Sequence, residues 1–136
     1  MRRRLVAGAA AGAVAALGAA GCGGSAGDLL SLRVSGGFAG TAHTIVVSGD
    51  GRGSCDKGDL KELPSERVIE AREIERTTRK QARDAADFPS RVADGRQYVL
   101  TSKEGTVRWG EGAAGLPKAL SRAQLLALRL ERALCS

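Results

Sequence analysis

The chain has 136 residues, 21 lysines and arginines against 15 aspartates and glutamates, one histidine, three cysteines and 3% aromatic residues. Arg2, Arg3 and Arg4 account for half of the formal charge, which falls from +6 to +3 without them. The remaining basic residues are interleaved with acidic ones, the opposite of the one-signed stripe that a nucleic-acid partner needs, and a single histidine excludes a zinc centre built on three.

The three arginines precede an uncharged run from Leu5 to Gly21, then Cys22 and a Gly/Ser-rich stretch. A basic head, a weakly apolar segment and the small residues Ala19, Ala20 and Gly21 before a cysteine resemble a bacterial lipoprotein signal, with Ala19 where leucine is usual. Residues 1–21 then read as the signal peptide and 22–27 as the lipid-anchor cysteine and a flexible tether. The expected location is the outer face of the cytoplasmic membrane or the cell envelope, with the thiol of Cys22 lipidated. Cleavage with release and retention as an uncleaved helix remain the alternatives. The run is built from Ala and Gly, and Leu5, Val6, Val14 and Leu17 are its only large aliphatics, so it spans weakly.

Residues 28–136 are the length of one domain with one modest core, expected as a monomer. In an exported protein Cys55 and Cys135 read as a disulfide between an early loop and the end of the last helix, against the alternative of two separate thiols. No CxxC spacing points to redox chemistry.

Along this domain, residues 29–35 alternate as a half-buried strand with Leu30, Leu32 and Val34 on one face, and 41–47, rich in β-branched residues, read as its antiparallel return. Between them lies Ser35-Gly36-Gly37-Phe38-Ala39-Gly40. Three glycines around one phenylalanine allow a tight connection that either presents the ring at the loop tip or folds it inward to cap the core. Residues 65–86 have helical period, with Val68, Ala71, Ile74, Thr78, Ala82 and Ala85 as a thin stripe that lacks large apolar residues beyond Ile74, so the far end is expected to fray. Residues 97–101 and 106–109 read as a hairpin. Ser121 and Gln124 read as a capping box, with Leu120 stapled against Leu125, opening a last helix whose buried face runs through Leu126, Leu130, Ala133 and Leu134, widened by Leu125 and Leu128. The expected fold is α+β, a small antiparallel sheet of about four strands packed against two helices.

Catalytic residues are hard to place. His43, in a strand, reads as a packing or solvated histidine rather than a triad member. Asp50, Asp56 and Asp59 do not match an EF-hand spacing, and Gly49 to Gly53 lacks the order and following helix of a phosphate cradle. No catalytic residue, metal or cofactor is expected.

The strand and loop Leu32 to Gly40, the Tyr98-Val99-Leu100 strand, the hairpin ending near Trp109 and Leu116-Pro117 before a Leu-rich helix together resemble the emfourin family, the protealysin-inhibitor-like proteins. The likeness covers nearly all of residues 28–134, and SGGFAG is its most distinctive stretch. It implies a small α+β protein that inhibits a secreted thermolysin-like (M4) zinc metallopeptidase without covalent chemistry, through Gly36, Gly37, Phe38, Ala39 and Gly40, the ring of Phe38 entering an apolar subsite. The alternative is an envelope interaction lipoprotein that does not inhibit and engages another protein through the charged helix Glu66 to Arg83.

Overall fold

The computed structural model describes residues 27–136. The expected signal peptide, Cys22 and the tether as far as Ala26 lie outside the described residues. The elements in chain order are β1 (Asp28–Gly36), β2 (Thr41–Ser48), β3 (Arg52–Cys55), β4 (Lys61–Glu62), α1 (Ser65–Thr77), α2 (Arg79–Arg83), β5 (Asp87–Phe88), β6 (Arg96–Ser102), β7 (Gly105–Gly110) and α3 (Lys118–Leu134).

The strands form one sheet in the order β4-β3-β2-β1-β6-β7-β5. All neighbours are antiparallel except β5, which runs parallel to β7. The expected four-stranded antiparallel sheet on two helices is therefore corrected, among the described residues, to a mixed sheet of seven strands with three helices. The three additional strands are two to four residues long, too short for an alternating pattern to register, and their sequences RGSC, KE and DF carry little β-propensity. The third helix comes from a break in the segment 65–86. The side chain of Thr78, fully buried, donates to the Ile74 carbonyl at 2.7 Å, and Thr77 does the same to Glu73 at 2.8 Å. Such back-bonding competes with the helix ladder. Beyond the break the chain does not fray: α2 buries Ala82, while Ala85 leaves the stripe and is exposed.

The two expected hairpins are present. In β1–β2, Gly36 pairs with Thr41 and Leu32 with Ile45; in β6–β7, Tyr98 pairs with Trp109 and Leu100 with Val107. Because β1 also pairs with β6, Leu32 opposite Leu100 and Val34 opposite Tyr98, the side chains line up in rows across four strands. One row is Ile45, Leu32, Leu100, Val107, and the next is His43, Val34, Tyr98, Trp109. The second row contains a stacked aromatic pair, Tyr98 and Trp109, with ring centroids 5.4 Å apart. Against this face pack Ala71 and Ile74 of α1 and Leu120, Ala123, Leu126, Ala127 and Leu130 of α3, forming one core. The opposite face carries Arg33, Thr101 and Arg108, all exposed, as an antiparallel sheet with one solvated side does.

The start of α3 differs from the expected capping box. The helix begins at Lys118 after Pro117, with no side-chain cap, so Ser121 lies inside the first turn and Leu125 is exposed rather than stapled. Proline supplies the helix-compatible φ at this boundary, and Gln124 is used elsewhere, its Oε1 accepting the indole N–H of Trp109 at 3.3 Å. Ala133 is also exposed.

Candidate interaction loop and the adjoining His43 cluster

The β1–β2 ladder is paired up to Gly36 and Thr41, which leaves Gly37, Phe38, Ala39 and Gly40 as a four-residue connection closed by the Gly40 N–H on the Gly37 carbonyl at 3.1 Å. Gly36, Gly37 and Gly40 have φ of 76°, 77° and 61°, the left-handed region in which a Cβ is strained. A Cβ on Gly36 would stand 3.1 Å from the Gly95 carbonyl oxygen, and one on Gly37 would stand 3.0 Å from Cγ of Arg96. The glycines therefore fix the turn and let it lie against β6. Its consequence is the placement of Phe38, which is fully exposed. Of the two placements open to the sequence, the ring takes the outward one.

Arg96, under the loop, is held from two sides. Its Nη1 donates to Glu131 Oε1 at 3.0 Å and its backbone N–H to Glu111 Oε2 at 2.9 Å; the Glu131 bond holds the guanidinium above its ordinary pKa. Arg96 belongs to the rim of an open depression of about 640 Å³ between the β1–β2 hairpin and the C-terminal half of α3, whose lining also includes His43, Tyr98, Glu131 and Cys135. The second oxygen of Glu131, Oε2, is buried without a partner.

Cys55 and Cys135 form a disulfide with a Cα–Cα distance of 5.3 Å, joining the end of β3 to the residue that caps α3. His43 lies beside it. Its Nδ1 is 2.7 Å from Asp56 Oδ2 and 3.7 Å from Cys55 Sγ, so the single histidine is neither free in solvent nor packed only by its ring. Asp56 has a left-handed φ of 51°, which aspartate tolerates, and its other oxygen accepts the Thr44 N–H at 2.8 Å. The His43 hydrogen bond, then that of Thr44, holds the Asp56 carboxyl below the usual range. His43, Cys55 and Cys135 offer three ligand atoms within 4.8 Å of one another.

The other sequence candidates are structural. Asp50 pairs with Arg52 at 2.8 Å and accepts from the Ser48 hydroxyl, so the Gly49–Gly53 segment is a turn closed on itself. Arg96 and Glu131 escaped sequence reasoning, and Asp56 entered it only as an aspartate without EF-hand spacing, not as the partner of His43. Their partners lie 13 to 35 residues away; the pairing of β2 with β3 brings His43 to Asp56, and the packing of α3 on the sheet brings Glu131 to Arg96 at the start of β6. Among the described residues, no helix is long and apolar enough to cross a membrane.

Comparison with protein-family models, curated proteins and solved structures gives no match to the chain. The resemblance to emfourins therefore rests on the residues that carry it.

Proposed function

We propose that the domain is a non-covalent inhibitor of a secreted thermolysin-like zinc metallopeptidase, tethered to the cell envelope through Cys22, and that it acts by inserting the Gly36–Gly40 turn into the peptidase cleft. The observation that carries this reading is the full exposure of Phe38 at the tip of a hairpin paired to its last residue. A large apolar ring left in water is unfavourable unless it serves an interface, and a turn already held in one conformation loses little entropy on binding. Gly36 and Gly37 before the ring leave the backbone bare there, and only the methyl group of Ala39 separates the ring from Gly40 after it.

The alternative surface, the charged segment from Glu66 to Arg83 that forms α1 and α2, is engaged within the molecule. Glu70 meets Arg67 and Arg129, Glu73 meets Arg122, Glu75 meets Arg79, and Arg83 meets Glu104. These pairs leave that segment less charge to offer a partner.

The test titrates the protein against thermolysin-like peptidases, including those secreted by its own source. Stoichiometric loss of peptide hydrolysis is expected, weakened about ten- to a hundredfold in Phe38→Ala, since burying a phenylalanine side chain is worth about 1.5–3 kcal/mol. Undiminished hydrolysis at micromolar inhibitor overturns the reading. Inhibition unchanged in folded Phe38→Ala moves the contact away from the loop. Tethering is tested separately: Cys22→Ser should shift the protein out of the membrane fraction or block its processing, and an unchanged fraction and mass would refute the lipid anchor.

A further inference from the structure

We infer that His43, Cys55 and Cys135 form a redox-gated metal site, which takes a divalent cation of the Zn²⁺ class once the disulfide is reduced. The donor set is one imidazole and two sulfurs, the combination of borderline and soft ligands that selects zinc over calcium or magnesium. Two thiolates and a neutral imidazole also cancel the charge of a divalent ion. One edge of the cluster is already close to what coordination needs. With metal–sulfur and metal–nitrogen bonds of about 2.3 and 2.0 Å, a tetrahedral centre has an N···S edge of about 3.5 Å, against 3.7 Å between His43 Nδ1 and Cys55 Sγ.

The oxidised form blocks the site because the sulfurs are bonded to each other. A dithiol reductant removes the block by exchange: it transfers two electrons and two protons to the Cys55–Cys135 bond, giving two thiols, and becomes a disulfide itself. The sulfurs can then separate to the edge of about 3.8 Å that two thiolates occupy on one ion. Cys135 lies beyond Leu134, the last residue of α3, as its cap, so the separation of the sulfurs is a side-chain rotation at the helix terminus and not within the helix. Metal binding releases the two thiol protons, and the Nδ1 proton of His43 passes to Nε2 as the ion takes its place. Asp56 Oδ2, 2.7 Å from Nδ1 and anchored through Thr44, gives up its hydrogen bond to that nitrogen as the ion enters and is then at hand as a fourth ligand. The depression lined by His43 and Cys135 supplies the route from solvent. Oxidised, the cluster is a staple; reduced, the same side chains chelate.

The test uses the full chain with Cys22→Ser, so that Cys55 and Cys135 are its only thiols. It is reduced with a phosphine, freed of reductant without air, and titrated with Co²⁺ as the spectroscopic probe. One equivalent should give thiolate-to-cobalt charge-transfer bands and the visible bands of a tetrahedral ion, displaced by Zn²⁺ and absent from the oxidised protein. His43→Ala should weaken binding at least tenfold, and Asp56→Asn, which removes the charge of the fourth ligand, should weaken it as well. Circular dichroism accompanies each step, because reduction removes the staple; where it unfolds the chain, metal should restore the fold. The inference is overturned if reduced protein shows no thiolate band at one equivalent and no refolding with Zn²⁺, or if His43→Ala binds as tightly as its parent.

Discussion

Phe38 and Asp56 are both exposed residues on neighbouring elements, yet substitution should separate them by what it changes. Phe38 touches no core, so Phe38→Ala should leave the thermal midpoint where it was, and any loss of binding is then a loss of contact. Asp56 organises its neighbours. Its carboxyl titrates below the ordinary range because the charged form accepts from His43 and Thr44. A group whose folded pKa is depressed stabilises the fold above its unfolded value, about 3.9, and that contribution disappears as pH falls through the folded value. Asp56→Asn should therefore lower the midpoint at neutral pH, and the gap to the parent protein should close on acidification below about pH 4. Thermal melts between pH 2 and 7 check this. A gap that is constant with pH would mean the carboxylate charge is not what matters. The side chain is half exposed, so solvent screening keeps the effect small.

At the scale of elements, what the sequence disclosed depended on how many residues carried each signal. The β1–β2 and β6–β7 hairpins were legible because each strand holds four to seven residues of β-branched, aromatic or alternating character and glycines stand at the turns. β3, β4 and β5 were not, since each exists only through its partner's hydrogen bonds. The end of α2 was missed for a local reason. Ala86 N–H bonds to the Gln81 carbonyl and Ala85 N–H to the Ala82 carbonyl, the two bonds of a Schellman motif, with Ala85 at φ 49° in the position where glycine is usual. The stop is present but the residue that announces it is not. Left-handed backbone costs a residue with a Cβ about 1–2 kcal/mol, and glycine returns about 0.4–1 kcal/mol of that through the freer unfolded chain. Ala85→Gly should accordingly raise stability, by about 1 kcal/mol at most, while Ala85→Val should lower it; denaturant midpoints for the two, falling on the same side of the parent, would contradict this account of the cap. Of the candidate site, the turn was legible because SGGFAG has no other ready use, whereas the outward direction of Phe38 depends on the core being filled by Tyr98, Trp109 and the α3 leucines.

For the molecule as a whole, the disulfide connects what the sheet and helices leave loosely joined. β3 lies near one margin of the sheet, followed only by the two-residue β4, and the C-terminal end of α3 reaches it through Leu134, whose Cδ1 stands 2.9 Å from where a Cβ on Gly53 would be. The Cys55–Cys135 bond fastens that contact and closes a loop with a sequence separation of 80 residues. Confining such a loop in the unfolded chain stabilises the fold by about 4 kcal/mol on the chain-entropy account, a large share of the roughly 5–15 kcal/mol of a typical domain. Cys55→Ser or Cys135→Ser should therefore lower the thermal midpoint of oxidised protein by on the order of 15 °C or more, and the double variant by no more than the larger of the two, because either change opens the same loop. Losses that add would mean that each side chain acts by its own packing and not by closing the chain. The turn proposed to inhibit is separated from the Ile45–Cys55 pair by residues 41–44 of β2, so peptidase titration of the cysteine variants, kept below their midpoints, should reproduce that of the parent protein. Inhibition lost while the variants remain folded would place the disulfide inside the binding surface, along the depression that Cys135 shares with Arg96.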